Sequence, residues 1–506
     1  MTTMTGHYTE GLPLGQVVPR QRLGDVMAGG ICLLAFAGLM PMTRLDSETA
    51  SAVVGIGCML AIAAALYVKY RGRLMLNMEV SLILGMTLQY LFAPVITRLL
   101  LSTVAVGGES GDRYAVKEVY GQAMLVVLLF ISAYFFASSL FAVRRPTRRP
   151  DGRLELAYSQ RTLLVMTGLT VLLWMTRAAL LASGSFYTIN RSRFMQEDSR
   201  YSAWTQFDGG IGPMVIAFLW GALFLKKVPV WLVIGYSLLD IGWNFMSGGR
   251  ERTLIPFIVI MLTYVIYRNR IPWRIMAILV LPAILLMGFM DYYRYALQNT
   301  TENNTIQVSG IVDALTKASN QTEGSGLVNT FYRGLFRIND LEPIAAIYLW
   351  TGKLQPFLEG ETYGRIPSGL IPRFLWPDKP MVITPINEWY FTHEGGSSPI
   401  TTPGEGYLNF GWPGVVLAGA VTAMLVRITE WFLLKYLWNV AILPVYIGTL
   451  AIMARQHTQA IAVWVPTIIK MFMLTWMIHF LTRPTRLTAE EQLHEDADGT
   501  RLPAYY

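Results

Sequence analysis

The chain has 506 residues, 53% of them hydrophobic and 15% charged, with a mean hydropathy of +0.41 and a formal net charge of +8. That is too apolar for one soluble core, and the surplus positive charge is scattered through short loops between apolar runs, so it forms no basic module for nucleic acid. The two cysteines, Cys32 and Cys58, both fall inside apolar runs, which excludes a disulfide framework and a cysteine-rich metal site.

Apolar runs of roughly 17–25 residues are the length a helix needs to cross a hydrocarbon core. In lipid every backbone N–H and C=O must be satisfied within the segment, and runs such as Met124–Leu140 and Ile275–Met290 lack the alternation of a barrel strand. The expected class is therefore all-α, a polytopic membrane protein with about twelve transmembrane helices. In chain order they fall near 26–42, 51–68, 74–96, 119–142, 162–183, 209–225, 228–246, 253–267, 275–290, 408–426, 438–454 and 459–481. The residues up to Gly24 are polar and no small-residue cleavage site follows the first run, so that helix is read as a retained span.

Basic residues fix the expected orientation. With Arg20 and Arg22 cytoplasmic, alternation puts Lys69, Arg71 and Arg73, the arginines of 144–153, Lys226 and Lys227, Arg268–Arg274, Arg427, Lys435, Arg483 and Arg486 on the same side. The positive-inside rule then gives cytoplasmic N- and C-termini in an inner membrane. The expected organisation is spans with short outer loops over 1–290, a periplasmic catalytic loop over 291–407, further spans over 408–486 and a cytoplasmic acidic tail over 487–506.

A loop of 291–407 is far longer than a compact bundle needs, which marks it as a structured functional element. It holds an amphipathic stretch, Leu335–Trp350, expected as one helix near the interface, and a run from Ile366 to Pro380 whose four prolines forbid a long helix.

Three clusters carry chemistry. The outer turn Ser247-Gly-Gly-Arg-Glu-Arg-Thr253 presents Arg250 and Arg252 at the membrane surface, where forked guanidinium donors match the oxygens of a lipid diphosphate or snorkel to lipid headgroups. Arg333 and Arg337 lie four apart, on one face of a helix, with Asp340 and Glu342 following. They either bind phosphate and sugar hydroxyls or satisfy one another. The segment 371–411 contains Arg373, Lys379, His393 and Glu405. An imidazole titrating near neutrality suits a general base, and a carboxylate where the chain re-enters the membrane is costly unless paired or functional. Arg191 and Arg193 add outward positive charge, Arg177 is a charge within the fifth span, and Tyr407 belongs to a group of aromatic residues suited to interfaces or to stacking on sugars.

In order, these motifs resemble the O-antigen and enterobacterial common antigen polymerases, the Wzy type. A Gly-Gly-Arg turn closes a span, an Arg/Asp-bearing helix follows, then an Ile-Pro…Leu-Trp-Pro-Asp-Lys-Pro run and a Pro-Gly-Glu-Gly-Tyr-Leu-Asn-Phe-Gly re-entry, over about residues 185–415. The resemblance implies a glycosyltransferase without metal or other cofactor, acting at the periplasmic face of a bacterial inner membrane. It would move a growing glycan from undecaprenyl diphosphate to a lipid-linked oligosaccharide repeat unit, with membrane lipids, a chain-length regulator and a flippase as partners and no nucleic acid. Glu405 or His393 would be the base; Arg250, Arg252, Arg333, Arg337, Arg191 and Arg193 would hold the diphosphate; Arg373, Lys379, Asp340 and Tyr407 would meet substrate. An O-antigen ligase is the nearest alternative. A polysaccharide transporter or flippase is the alternative from another class, and it predicts broken helices with ionisable residues near the midplane.

Overall fold

The computed structural model describes residues 21–70, 77–101, 116–141, 159–182, 199–268, 273–298, 308–371, 376, 378, 400–437 and 439–482. Among them regular structure is helical and no strand occurs, as the composition predicts. The helices are α1 (Gln21–Leu39), α2 (Ser47–Tyr70), α3 (Met78–Thr87), α4 (Ala93–Leu101), α5 (Tyr120–Leu140), α6 (Gln160–Ala182), α7 (Ser199–Phe224), α8 (Val230–Met246), α9 (Arg250–Arg268), α10 (Trp273–Gln298), α11 (Val308–Ile338), α12 (Leu341–Trp350), α13 (Glu361–Gly364), α14 (Ile366–Leu370), α15 (Thr402–Tyr436), α16 (Leu443–Gln456) and α17 (Ile461–Thr482). The described parts of the predicted apolar runs are helical apart from a few end residues, the run near 74–96 falling on two helices, α3 and α4, with the turn between them. Among the described residues seven stretches are long and apolar enough to cross a membrane: Arg22–Arg44, Ser47–Tyr70, Met78–Thr97, Tyr120–Leu140, Gln160–Ala182, Thr402–Tyr436 and Ile461–Thr482. The chain is an all-α membrane protein.

α5 lies at the centre. Its faces are buried all round, from Tyr120 to Ser138, which is the pattern of a helix surrounded by other helices. α1, α2, α12 and α15 pack against it. α3 and α4 form one span joined by a π-helical turn, Leu88–Phe92. Such a turn shifts the faces of a helix and often marks a functional position.

Two features differ from the sequence expectation. First, Leu335–Trp350 is not a single interfacial helix. α11 ends at Ile338, and after Asn339 and Asp340 the chain starts α12, whose Leu341, Ile344, Ala345, Ala346 and Ile347 are fully buried in the main core. The physical reason is that α12 is apolar apart from Glu342 in its first turn, so a surface position would leave much of its apolar area unburied.

α11, bent at Gly326 where the backbone leaves helical geometry (φ 78°), returns antiparallel along α10. A Cβ on Gly288 would stand 1.9 Å from the Thr330 carbonyl oxygen, and one on Gly334 would stand 2.0 Å from that of Ile284. The return leg thus runs back to the middle of α10, within the stretch expected to span, and α12 leaves again beside α5 and α15. Part of the 291–407 segment therefore packs among the apolar helices.

Second, Lys69 and Arg427, counted in the sequence as loop charges, are buried side chains. Lys69 bridges Asp25 of α1 and Glu79 of α3. Arg427 reaches Glu79 at 2.9 Å, Glu430 at 3.3 Å and Asp25 at 3.6 Å. Tyr70 donates to Glu79 at 2.8 Å and Asn77 donates to Tyr70 at 2.9 Å. Charges buried at this depth persist only when paired and hydrogen-bonded. This network ties α1, α2, α3 and α15 together at one end of the bundle, the Lys69 end.

Candidate functional site

The opposite end is organised by a break in α15. Phe410 (φ −140°) and Gly411 (φ 63°) leave helical geometry, so Thr402–Asn409 is a short helix set before the long apolar one. Gly411 is at a positive φ that an L side chain adopts only with strain. At the break the two pieces press together: a Cβ on Gly406 would lie 2.6 Å from the Gly414 carbonyl oxygen, and one on Gly414 would lie 2.0 Å from that of Gly406. The glycines around Glu405 thus serve close backbone packing. A Cβ on Gly404 would stand 2.8 Å from Thr401 Oγ1 and 3.0 Å from Ile347 Cδ1 of α12.

The short helix is fixed at both ends. At its start Thr401 Oγ1 accepts from Gly404 N at 3.1 Å, the N-cap bond that satisfies one of the free amides of a helix start. Thr402 N donates to His457 O at 2.8 Å, Thr402 Oγ1 donates to Gln459 O at 2.7 Å, and Trp464 Nε1 donates to Thr402 Oγ1 at 3.1 Å. These bonds clamp it to the turn between α16 and α17. At its end, the strap that follows α12 supplies partners for the carbonyls freed by the break. Leu358 N donates to Leu408 O at 3.1 Å and Glu359 N to Asn409 O at 3.2 Å. Asn409 completes the closure, accepting from Gly360 N at 3.0 Å and donating to Thr362 Oγ1 at 2.7 Å and to Glu405 O at 2.8 Å.

Glu405 sits at the centre of this assembly with no exposed surface. Its Oε2 accepts from Ile461 N, a free amide of the first turn of α17, at 2.6 Å. The Thr362 hydroxyl also faces the carboxylate, yet Oε1 has no partner in hydrogen-bonding geometry among the described residues. Tyr363 stands beside it; burial, and then the nearby Glu405 charge, push its phenol well above the usual range, so it stays a protonated donor. The Tyr363 hydroxyl likewise has no partner among the described residues. His457, in the α16–α17 turn, is held neutral with its pKa lowered to about 3 by burial, packs its ring edge-on to Tyr90 at 4.8 Å and places Nε2 3.1 Å from Ala454 O. Buried polar atoms are nearly always paired, so the unpartnered Glu405 Oε1, Tyr363 hydroxyl and His457 Nδ1 leave room for a ligand or water to complete the set here, as other such atoms do at the Lys69 end.

On and around the short helix lies an aromatic group. Tyr407 is half-buried, with ring centroids 5.3 Å from Tyr348, 5.6 Å from Trp412 and 6.3 Å from Phe357. Tyr363 stacks on Phe410 at 6.4 Å.

Of the residues singled out by sequence, Glu405 and Tyr407 share the short helix. Asp340 lies on the connection into α12 and donates its backbone N–H to Gln89 O, in the π turn, at 3.4 Å. Arg333 belongs to the α10–α11 hairpin, where it pairs with Asp291 at 3.3 Å and lies over the Tyr292 ring at 4.6 Å. It is thus engaged away from Glu405. Arg252 is half-buried at the start of α9 and folds back over Gly249. Arg177 is fully buried, bonded to Asp240 at 2.6 Å and lying against the Trp174 and Trp243 rings. Arg191, Arg193, Arg373, Lys379 and His393, and the side chains of Arg250 and Arg337, lie outside the described residues.

Thr362, Tyr363, Asn409 and His457 were missed by sequence reasoning. Asn409 carried a signal, since it sits in the Glu-Gly-Tyr-Leu-Asn-Phe-Gly run itself; His457 and Tyr363 carried none, because the contacts that place them cross more than forty residues. Among the described residues no group of three or more His, Cys, Asp or Glu side chains is placed to hold a metal ion. Compared with family models, curated proteins and solved structures, the chain matches none.

Proposed function

We propose that this chain is a polytopic membrane glycosyltransferase of the Wzy kind. It would cross a bacterial inner membrane about twelve times and transfer a growing glycan from undecaprenyl diphosphate to a lipid-linked repeat unit at the periplasmic face. The observation that carries the reading is Glu405, a carboxylate without exposed surface whose Oε1 is unpartnered, held where a broken apolar helix begins. A carboxylate so placed is expensive to keep and suits a general base. In the proposed step Glu405 takes the proton of the acceptor hydroxyl, the acceptor oxygen bonds to the anomeric carbon, and the bond from that carbon to phosphate breaks with its electron pair leaving on the lipid diphosphate. Arg250, Arg252, Arg333, Arg337, Arg191 and Arg193 are the proposed neutralisers of that charge. His393 is the alternative base, and Arg373, Lys379, Asp340 and Tyr407 are the proposed saccharide contacts.

The test is reconstitution of the full chain with an undecaprenyl-diphosphate-linked oligosaccharide, with products read as a length ladder. Glu405→Gln keeps the shape and the Ile461 bond but removes the base, and is expected to slow elongation by about 100-fold. Wild-type elongation by this variant would sink the assignment of Glu405. Transfer to lipid A–core instead of a repeat unit would select the ligase.

A second reading as a transporter draws on the break in α15 and the buried charges of the Lys69 end, both of which are features of alternating-access proteins. Movement of the lipid-linked saccharide across the proteoliposome membrane with no change in its length would favour it.

A further inference from the structure

We propose that residues 352–360, the surface part of the strap, form a lid over Glu405 that Asn409 latches and that opens to admit the acceptor saccharide. This rests on the reading of Glu405 as the base and adds to it the step by which substrate reaches that base.

A base works only within hydrogen-bonding reach of the hydroxyl it deprotonates. Glu405 has no exposed surface, so part of its cover has to move. Three of its neighbours are fixed by helix packing. Ile347 of α12 presses on Gly404, Gly414 and Ala418 of α15 press on Gly406, and the start of α17 holds Oε2 through Ile461 N. The strap is held instead by hydrogen bonds to the short helix: Leu358 N, Glu359 N and Gly360 N donate to Leu408 O, Asn409 O and Asn409 Oδ1 at 3.1, 3.2 and 3.0 Å. One nitrogen, Asn409 Nδ2, bonds both the Thr362 hydroxyl at 2.7 Å and the Glu405 carbonyl oxygen at 2.8 Å, so the strap lies directly on the residue it covers.

The segment can move as a unit. No residue from 352 to 360 is buried, which puts it at the low-stability end of the fold. Its first half closes on itself: Gly352 N donates to Gln355 O at 2.7 Å, and Lys353 N and Leu354 N donate to Trp350 O at 3.2 and 2.9 Å. Both ends turn at glycines with positive φ, Gly352 at 81° and Gly360 at 95°, where a hinge meets no steric cost. Glu359 has a φ of 48°, a region that such a residue holds only where its surroundings compel it. What compels it is the pair of bonds at Glu359 N and Gly360 N, so releasing them relieves strain as it uncovers Glu405. The Phe357 ring, 6.3 Å from that of Tyr407, is the apolar contact that closing restores.

Hydrogen exchange of the full chain in nanodiscs reads the opening. Thr362→Val keeps the shape and removes one latch bond, so exchange at the Leu358, Glu359 and Gly360 amides should rise about three- to tenfold, the worth of one neutral hydrogen bond. Asn409→Ala removes the bonds to both Thr362 and Gly360 and should raise it further. The Lys353 and Leu354 amides should keep their wild-type rates. An equal rise there, or no rise at Leu358, Glu359 and Gly360 in either variant, would overturn the lid. A second arm ties the lid shut by bridging Phe357→Cys to Tyr407→Cys with a short bis-maleimide, against the same protein capped with a monofunctional maleimide; Cys32 and Cys58 are buried and leave this pair as the reactive thiols. With an undecaprenyl-diphosphate-linked oligosaccharide as the probe, the bridged protein is expected to elongate at least about tenfold more slowly than the capped one. Equal rates in a protein whose Glu405→Gln variant is slow overturn the lid and leave the base reading standing. A Glu405→Gln variant that elongates like wild type takes down base and lid together.

Discussion

Replacing Lys69 by methionine is the sharpest test of how the Lys69 end is built. The side chain is fully buried and is bound on two sides by carboxylates, Asp25 and Glu79, that come from different helices. Methionine matches its length, so packing changes little and the loss is electrostatic. At an effective dielectric constant near 20, each unit-charge pair at about 4 Å is worth roughly 4 kcal/mol, most of it offset by the cost of desolvating the ions.

Removing the central cation leaves two carboxylates facing each other with only Arg427 to serve both. Arg427 is already 2.9 Å from Glu79, 3.3 Å from Glu430 and 3.6 Å from Asp25. Breaking a buried pair in this way costs about 3–5 kcal/mol. The melting temperature in nanodiscs should fall by roughly 3–10 °C, because the shift per kcal/mol shrinks as the chain lengthens. Lys69→Met combined with Glu79→Gln should lose less than the sum of the single changes, by about 1–3 kcal/mol, since the second substitution removes a charge that the first left stranded. A Lys69→Met protein within about 0.5 kcal/mol of wild type, or strictly additive costs in the cycle, would refute the claim that this network holds α1, α2, α3 and α15 together.

Gly288→Ala should be among the most damaging single-methyl additions, costing about 3 kcal/mol or more, because the new carbon meets the Thr330 carbonyl oxygen at 1.9 Å and backbone cannot yield cheaply. Gly168→Ala, in the middle of α6 with nothing within 4 Å, is the matched control and should be neutral or slightly stabilising in the same melting assay. His457 gives a pH signature. Its folded pKa lies at about 3 and its unfolded value near 6.5, so protonation favours the unfolded chain. Its contribution is level above pH 6.5 and falls by about 1.4 kcal/mol per unit as pH drops below it, until the folded pKa is reached. His457→Asn should flatten the decline of melting temperature between pH 6.5 and 5, and an unchanged slope would show that the imidazole titrates freely.

Hydropathy located the helices because a spanning segment must be apolar along its whole length, a local property that one sequence displays. α12 shows where this fails. Read together with Leu335–Asp340, Leu341–Trp350 looked like part of one amphipathic helix at the interface, whereas the chain breaks at Asn339–Asp340 and packing against α5 and α15 draws the apolar part into the core. Lys69 shows a second failure. Its place beside the basic residues Arg71 and Arg73 made it look like an orienting loop charge, and nothing in spacing reveals partners on α1 and α3. Glu405 was visible because a carboxylate where the chain re-enters the membrane is costly unless it is paired or functional. Its neighbour Tyr363 was hidden, since a tyrosine between Thr362 and Gly364 in a loop is ordinary until the strap closes on the short helix.

The two polar ends are mechanically linked, because α3 and α15 contribute to both. α3 carries Glu79 into the charge network, and within the π turn that continues it Tyr90 donates to His457 O at 3.0 Å, on the same carbonyl that receives Thr402 N. α15 carries Arg427 into the network at one end and Glu405 at the other. A charge network tolerates little sliding, since a one-residue shift of α15 would part Arg427 from Glu79 and Asp25, which lie on other helices, whereas the apolar surfaces between the ends would accept it at small cost. The Lys69 end therefore sets the register of α15 against α3, and through it the position of the break at Phe410–Gly411 relative to the His457 turn. The Glu405 carboxylate is held against Ile461 N at 2.6 Å by this register as much as by its own bonds.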